Sequence, residues 1–338
     1  MRLRSKILYA AMISGLMTGS ALADTCHYKL VAKIPLLAKP GHGDMVKYDS
    51  GNGYVYVSMT EGGAGINTQT NHVDQIYPSL VTPNDIAFSK HYVYWTSAGG
   101  PGKINQIVVI AKKTWKIVNE INTVGTTPDG MQIDPETHKL YVMMDDNNWV
   151  DVYSTGKTPK FETKYVLYPA EPPGAGPDVG VLVPSMQTLF MPDDSWEEAI
   201  STESGQITKK VNTHAKITKY GGTKGQFFDA SNDSLWVSTA SASDGMLVFN
   251  PHTLQIIKRL PETGGVDQVA FDPELHRAYA IEESAKGFDV YDTKTMTRVG
   301  FVSTGTGATH TGSVDTANHN VYVYAGGASE VLVYKPET

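Results

Sequence analysis

A phrase that repeats within this chain constrains its fold more than any other feature of the sequence. Residues 126–153 read TTPDGMQIDPETHKLYVMMDDNNWVDVY, and residues 264–291 read GGVDQVAFDPELHRAYAIEESAKGFDVY. Both segments contain, in order, a turn, an aspartate, a short apolar strand, an Asp-Pro turn, a second strand, an acidic pair and a third strand. A repeat of this length indicates one structural unit built several times.

Seven such units can be aligned, and their first strands start about 41 to 49 residues apart. After each start comes a turn rich in Asp, Asn, Gly or Ser, and then a strand of β-branched and aromatic residues such as Tyr54-Val55-Tyr56-Val57. This spacing is typical of four-stranded propeller blades. The sequence therefore predicts an all-β fold, a seven-bladed β-propeller. The aligned starts are Asp44, Asp85, Asp129, Asp178, Gln226, Asp267 and Thr311.

The two ends of the repeat array predict how the ring closes. The seventh unit stops after its third strand, at residues 331–334, and residues 28–36 form one spare strand before the first unit. Adding that strand to the last blade would remove the open sheet edges that promote aggregation. We therefore expect residues 24–338 to form a single propeller domain whose last blade is closed by an N-terminal strand.

The first 23 residues have the pattern of a signal peptide. Arg2, Arg4 and Lys6 precede an apolar stretch, and Ala21-Leu22-Ala23 matches a cleavage signal. Polar and glycine residues interrupt the stretch, which argues against a retained membrane span. The sequence predicts cleavage after Ala23 and a periplasmic or secreted protein.

Charge and motifs exclude several classes of partner and cofactor. The net charge of −7 becomes about −10 once the three basic residues of the signal peptide are removed, so a nucleic-acid partner is not expected. Cys26 is the only cysteine, which rules out an internal disulfide and covalent haem attachment. No Gly-x-Gly-x-x-Gly in a βαβ context and no P-loop occurs, so no nucleotide cofactor is expected.

Two segments resemble a known family. Residues 134–142, DPETHKLYV, and residues 272–280, DPELHRAYA, are similar to the Asp-Pro and Val-Tyr-Val phrase of YVTN-type propellers, which include exported YncE-like proteins. The literal Tyr-Val-Thr-Asn does not occur. The resemblance implies an exported seven-bladed propeller from a family of mostly binding proteins, but a shared fold alone does not define a function.

The first strands of propeller blades line the central channel, so their starts predict a set of residues around one mouth of the channel. Asp side chains at such turns often only accept backbone hydrogen bonds. Carboxylates that converge on a narrow mouth also repel one another, and a bound cation would relieve that repulsion. The predicted mouth residues are His42, Asp44, Asp85, Asp129, Asp178, Gln226, Asp267 and His310.

The turns between second and third strands should face the same mouth. They carry Glu61 and the pairs Asp145-Asp146, Asp193-Asp194 and Glu282-Glu283. Trp149 and Trp196 follow two of these turns, where their rings could contact a ligand or pack within the blades. Both possibilities are open at the level of sequence.

Two histidines suggest a metal site within this mouth. His42 and His310 belong to the first and seventh units, which are neighbours in a closed ring, and Asp44 lies two residues after His42. Two imidazoles beside a carboxylate suit a transition metal, whereas an oxygen-rich mouth would suit Ca²⁺ or Mg²⁺. The cofactor is thus unknown, with one divalent metal ion as the candidate.

Three functions fit these features. The first is a binding or scaffold protein that takes a small molecule or a periplasmic protein at the acidic mouth. The second is a metal-dependent hydrolase of the lactonase type, although the Glu-Gly-Pro phrase of SMP-30-like lactonases is absent. The third is a propeller that partners a periplasmic redox system. No Gly-x-Ser-x-Gly motif occurs, and the sequence favours binding over catalysis.

Overall fold

The computed structural model of the protein describes residues 26–99, 104–168, 176–282, 284–305 and 308–337. They form seven antiparallel four-stranded sheets that follow one another around a ring. The predicted all-β seven-bladed propeller is confirmed. The predicted signal peptide lies outside the described residues. Within the described part of the chain, no helix is long and apolar enough to cross a membrane.

The strands are numbered β1 to β28 in chain order, and all but the first run blade by blade from the channel outward. The first strand, β1 (Tyr28–Pro35), belongs to the last blade. Blade 1 comprises β2 (Val46–Asp49), β3 (Tyr54–Ser58), β4 (Glu61–Asn67) and β5 (His72–Val81). Blade 2 comprises β6 (Pro83–Phe88), β7 (Tyr92–Ala98), β8 (Asn105–Ala111) and β9 (Lys116–Asn122). Blade 3 comprises β10 (Pro128–Asp134), β11 (Lys139–Met144), β12 (Trp149–Ser154) and β13 (Phe161–Val166).

The remaining blades repeat this order. Blade 4 comprises β14 (Val181–Val183), β15 (Thr188–Asp193), β16 (Trp196–Ser201) and β17 (Ile207–Asn212). Blade 5 comprises β18 (Thr223–Asp229), β19 (Ser234–Thr239), β20 (Met246–Phe249) and β21 (Ile256–Leu260). Blade 6 comprises β22 (Val266–Asp272), β23 (Arg277–Glu282), β24 (Gly287–Asp292) and β25 (Thr297–Ser303). Blade 7 comprises β26 (Thr309–Asp315), β27 (Asn320–Ala325), β28 (Glu330–Pro336) and β1. Short 3-10 helices span Asp145–Asn147, Pro184–Met186 and Gly326–Ala328.

The last blade closes the ring as the sequence predicts. β1 pairs antiparallel with β28, with Tyr28 opposite Pro336 at one end and Pro35 opposite Glu330 at the other. Ile34 is buried in the apolar core that blade 7 shares with blade 1. The two ends of the propeller domain therefore meet in one sheet, and the edge of β28 is paired rather than open.

Aromatic residues in the second strands hold neighbouring blades together. Trp95 of β7 is fully buried and packs edge-on against Tyr56 of blade 1, with ring centroids 5.8 Å apart. Next to it, the Tyr94 hydroxyl accepts a hydrogen bond from the backbone N–H of Gly156 in blade 3 at 2.7 Å. The alternation of side chains along a strand directs these two neighbours to opposite faces, so one second strand contacts both adjacent blades.

The repeated aspartate that ends the first strands shapes the following turn. Asp134 Oδ1 accepts the backbone N–H of Glu136 at 2.9 Å, and Asp272 Oδ1 accepts that of Glu274 at 3.1 Å. Such Asx turns reverse the chain between the first and second strands. This structural role belongs to the end of the strand away from the predicted mouth.

Candidate functional site

The first strand of most blades enters its sheet through an irregularity in register. In five blades, two residues are skipped between the first and the next paired position, for example Asp129 and Gly130 between Pro128 and Met131. Bulges of this kind turn side chains out of the ladder and are frequent at barrel rims and active sites. In blade 4, an isolated bridge between Pro177 and Asp193 precedes the regular pairing from Val181. The residues between them also lie outside the regular ladder.

The strand register defines one equivalent residue in each blade, two positions before the first regularly paired residue in six blades and directly after the bridged Pro177 in blade 4. We call these seven residues the mouth ring. All of them line a single cavity of about 330 Å³, a volume within the range of small-molecule sites. In blade order, the mouth ring consists of Asp44, Asn84, Asp129, Asp178, Lys224, Asp267 and His310.

The structure brings together most of the predicted mouth residues. The mouth ring includes Asp44, Asp129, Asp178, Asp267 and His310, and His42 lines the same cavity.

Two predicted mouth residues lie elsewhere. Asp85 follows the ring residue Asn84 and is fully buried, where it accepts hydrogen bonds from Lys47 Nζ at 2.8 Å and the Met131 N–H at 2.5 Å. Gln226 lies two residues after Lys224, on the wall of a second cavity of the channel, and its Nε2 donates to the Phe190 carbonyl at 2.8 Å.

The acidic pairs do not face the mouth as units. Asp145 lines the main cavity, whereas Asp146 is exposed and accepts a hydrogen bond from the Thr127 hydroxyl. Asp194 lines an adjoining cavity of about 210 Å³, while Asp193 ends β15 and is fully buried inside the blade.

The other acidic residues expected at the mouth are placed differently. Glu282 ends β23 and is also buried, and Glu283 lies outside the described residues. Glu61 is exposed and lines a separate groove beside Leu37 and Ile76. None of these described side chains lines the main cavity.

The two tryptophans lie at the start of the third strands, away from the residues that line the main cavity. Trp149 Nε1 donates to Asp151 Oδ1 at 2.9 Å, and Lys164 Nζ lies 3.7 Å from the centre of one of its rings. Trp196 packs edge-on against Tyr168 with ring centroids 5.0 Å apart. These contacts are packing interactions between strands, and a ligand contact for either ring stays a prediction.

Lys224 is the central cation of the mouth ring. Its Nζ lies 2.7 Å from Asp178 Oδ2 and 3.1 Å from Asp267 Oδ1. Burial alone would lower the pKa of Lys224, but the carboxylates of Asp178 and Asp267 raise it well above its usual value. Burial alone would raise the pKa of Asp267, but Lys224 and His310 lower it below its usual value. Asp267 therefore stays ionised. We call Asp178, Lys224 and Asp267 the lysine bridge.

On one side of the lysine bridge lies a group of carboxylates, Asp129, Asp145 and Asp194, which we call the acidic half. Burial and the neighbouring charges of Asp178, Asp44 and Asp145 raise the pKa of Asp129 well above its usual value. Burial raises the pKa of Asp145 to about 6, against the hydrogen bond from the Gly176 N–H. Burial and the charge of Asp145 raise the pKa of Asp194 to about 6. The acidic half therefore holds more carboxylates than its surroundings neutralise.

On the other side lie His42, Asp44 and His310, which we call the histidine half. Asp44 Oδ1 is 3.3 Å from His42 Nδ1 and 3.7 Å from His310 Nε2. The two imidazole rings are 3.9 Å apart between centroids. His310 Nε2 also lies 3.1 Å from Asp267 Oδ2, which connects this half to the lysine bridge.

The sequence prediction missed Lys224 and Asn84. A signal for Lys224 was present, because Lys224-Gly225 matches Asp129-Gly130 in being a ring residue followed by glycine. At Gly225 an added Cβ would lie 2.8 Å from the Asp267 carbonyl oxygen, and at Gly130 it would lie 2.9 Å from the Val179 Cα. The glycine is thus a marker of close packing against the next blade, directly after the ring position.

A scan against protein-family models finds no match for this chain, and a search of curated proteins finds none either. The resemblance to YVTN-type propellers therefore stays a prediction, and the propeller fold is what the two have in common.

Proposed function

We propose that this β-propeller is an exported binding protein that takes a small ligand carrying an ammonium group at the acidic half of its mouth. The observation that carries the proposal is the state of Asp129. This ring carboxylate lies in the main cavity, and within the described residues no side chain forms an ion pair or hydrogen bond with it. Its raised pKa reflects burial and the neighbouring charges of Asp178, Asp44 and Asp145, which together outweigh the positive charge of Lys224.

The charges around Asp129 define what would fit there. Asp145 and Asp178 line the same cavity, and Lys224 is already engaged by Asp178 and Asp267. An ammonium group placed among these carboxylates would supply the missing charge and form charge-assisted hydrogen bonds, which are about twice as strong as neutral ones. A carboxylate ligand would meet repulsion instead.

Asp194 supports the proposal independently. It is only 2% exposed, and neither of its carboxylate oxygens has a hydrogen-bond partner within the described structure. Buried carboxylates without partners are costly, so such a group at the wall of a cavity indicates a binding partner. The adjoining cavity that Asp194 lines also has Asp129 and Asp145 in its wall, together with Lys219 and Lys224.

The remaining walls define the rest of the ligand. Met45, Ala240 and Val266 line the main cavity with apolar surface, and Tyr220 lies at its rim with 54% of its surface exposed. A ligand with one ammonium group and a short apolar portion would satisfy both the charge and this lining, because mostly apolar walls with a few placed polar groups are typical of small-molecule sites. Export rests on the predicted signal peptide, which would place the protein in the periplasm or outside the cell.

A thermal-shift assay with matched probes tests the proposed function. Butylamine should raise the Tm of the mature protein at pH 7.5 in EDTA, and butyrate, with the same chain and opposite charge, should not. The variant Asp129→Asn should lose the response, because losing a hydrogen-bonding charge typically costs about 1.5–3 kcal/mol. The control Asp146→Asn removes an exposed carboxylate outside the cavity and should respond like the wild type. Equal responses to both probes, or an unchanged Asp129→Asn, would exclude the proposal.

A metal-dependent hydrolase is the second candidate, because the histidine half lies at the edge of the same cavity. A metal there could polarise an ester carbonyl and activate water. This function requires turnover of a lactone that EDTA abolishes and a divalent metal restores. The proposed binding protein requires neither, so a lactone hydrolysis assay with and without EDTA separates the two.

A further inference from the structure

We propose that His42, Asp44 and His310 bind one divalent transition-metal ion of the zinc class at the histidine half. One ligand atom from each residue lies within 4.8 Å of the other two. The ligands come from two blades that meet at the closure of the ring, His310 from β26 of blade 7 and the other two from the segment before β2 of blade 1.

The separations from Asp44 to the two imidazoles fit such an ion closely. Two ligands that are each about 2.0–2.2 Å from a tetrahedral zinc lie about 3.4 Å from one another. The separations from Asp44 Oδ1 to His42 Nδ1 and to His310 Nε2 are 3.3 and 3.7 Å. Changes of a few tenths of an ångström would therefore bring Asp44 to the zinc-like separation from both imidazoles, and the two imidazole nitrogens lie within 4.8 Å of each other.

The backbone holds His42 in place by close packing on both sides. An added Cβ at Gly41 would lie 2.3 Å from Thr60 Oγ1, and one at Gly43 would lie 2.2 Å from the Ser58 carbonyl oxygen. The carbonyl oxygen of His42 accepts a hydrogen bond from the Thr60 hydroxyl. Only glycine allows this approach, so the segment presents the imidazole at a defined position rather than as part of a mobile loop.

The bulge of β26 presents His310 from the opposite side. His310 is only 8% exposed, and it is the mouth-ring residue of blade 7, in the register shift between Thr309 and Gly312. Its Nε2 lies 3.1 Å from Asp267 Oδ2, and Lys224 holds that carboxylate in turn. A metal that takes Nε2 would replace this contact, while Asp267 keeps its ion pair with Lys224.

The donor set selects the class of metal. Imidazole nitrogens suit zinc, copper and nickel, whereas Ca²⁺ and Mg²⁺ prefer shells made of oxygen atoms. Three protein ligands leave a fourth position of a tetrahedral ion for water or a ligand, and all three residues line the main cavity. The inferred metal and the proposed ammonium site share the cavity but no residue, so each can fail without the other.

Cobalt and zinc titrations test the site without any activity assay. The mature protein, without a histidine tag and freed of metal, should bind one equivalent of Co²⁺ with visible d–d absorption, and Zn²⁺ should displace it. Both His42→Ala and His310→Ala should weaken Zn²⁺ binding by more than about 100-fold, because the loss of an outer-shell partner alone costs about 10–100-fold. The control His252→Ala removes an exposed histidine that pairs with Asp233 and should bind like the wild type.

His42→Ala keeps the test decisive if His310→Ala fails to fold, since half of the His42 side-chain surface is exposed. Far-UV circular dichroism checks the fold of each variant. Absence of the Co²⁺ spectrum in the wild type would overturn the proposal, and so would equal Zn²⁺ affinity in folded His42→Ala. Preference for Ca²⁺ over Zn²⁺ would also overturn it.

Discussion

The acidic half and the histidine half occupy equivalent positions in the same ring but present opposite chemistry. Asp129 in blade 3 and His310 in blade 7 both lie in the register shift of a first strand, two residues before regular pairing resumes. Asp129 is a carboxylate without an ion-pair partner among the described residues. His310 is an imidazole that lies beside the His42 ring and the Asp44 carboxylate. The repeat thus defines where a side chain lies, and the residue type in each blade defines which ligand that place suits.

The lysine bridge separates the two halves. Asp178 belongs to the side of the acidic half and Asp267 contacts His310, so Lys224 neutralises one carboxylate toward each. Without such a cation, the carboxylates of Asp178 and Asp267 would connect the two halves, and both halves would compete for one positive ligand. A mutation that removes Lys224 should therefore remove this separation of the acidic half from the histidine half.

Loss of the lysine bridge should have the largest effect. Lys224→Met would leave the buried Asp178 and Asp267 without the lysine charge that bridges them, and we expect it to lower the free energy of unfolding by about 3–5 kcal/mol. Urea unfolding measures this change. The matched control is Lys209→Met, which removes an exposed lysine of the outer strand β17 and should cost at most about 0.5 kcal/mol. Similar losses of stability in both variants would mean that Lys224 does not stabilise the buried carboxylates that it bridges.

A methyl group at Gly43 should disturb the histidine half alone. Gly43→Ala forces the segment away from the Ser58 carbonyl oxygen, and overpacking of this kind costs about 2 kcal/mol. Zn²⁺ affinity should fall in calorimetric titration while butylamine binding stays unchanged. The control Gly65→Ala places its Cβ 3.5 Å from the nearest atom and should leave both unchanged. A parallel loss of amine binding in Gly43→Ala would argue against two independent halves.

A buried acid lies in the second strand beside the acidic half, whereas the equivalent position in blade 7 is apolar. The second-strand residue paired beside the ring position is Asp193 in blade 4 and Ala325 in blade 7. Burial and the charges of Glu198 and Asp194 raise the pKa of Asp193 to about 8. The pKa of an aspartate in the unfolded chain is about 3.9, so between pH 3.9 and pH 8 the folded protein holds a proton on Asp193 that the unfolded chain has lost. The stability that this proton contributes is lost as the pH rises toward 8.

Asp193→Asn tests this difference. The wild type should lose about 2 kcal/mol more than the variant in the free energy of unfolding between pH 5.5 and pH 7, because asparagine cannot ionise. Urea denaturation at the two pH values measures it, with Asp146→Asn as the control expected to follow the wild type. Parallel pH profiles for wild type and Asp193→Asn would show that Asp193 does not titrate as a buried acid.

The smallest expected effect is the pH dependence of amine binding. The pKa values of Asp145 and Asp194 are both about 6, so both carboxylates are mostly protonated at pH 5 and mostly ionised at pH 7. Butylamine affinity should therefore fall about tenfold when the pH is lowered from 7 to 5. Calorimetric titration at the two pH values measures the change, and Asp194→Asn should flatten it. Tighter binding at pH 5 would contradict the acidic half as the binding region.

The fold was predictable from the sequence because it repeats. Turn and strand signals such as Asp134-Pro135 and Asp272-Pro273 recur with one spacing, and the missing strand of the last unit has one available replacement at residues 28–35. These features depend on local turn chemistry and on strand alternation, which a single sequence displays directly.

The mouth ring was predictable only in part. In blade 2 the alignment followed the aspartate itself and selected Asp85, although the register makes Asn84 the ring residue. In blade 5 it selected Gln226, two residues past Lys224, because the length of a bulge is not visible in the pattern of apolar residues. Asp193 and Glu282 were interpreted as turn residues, yet they end buried strands. In a sequence, acidic residues suggest a turn. Only the packed structure shows that the strand continues to Asp193 and to Glu282.

The most direct test of the two-sided mouth is a calorimetric titration of three proteins, wild type, Asp129→Asn and His310→Ala, with butylamine in EDTA and with Zn²⁺ after EDTA removal. We expect Asp129→Asn to lose butylamine binding and keep Zn²⁺ binding, and His310→Ala to keep butylamine binding and lose Zn²⁺ binding. If both variants lose both ligands, or if each keeps both, the mouth does not consist of two separate sites.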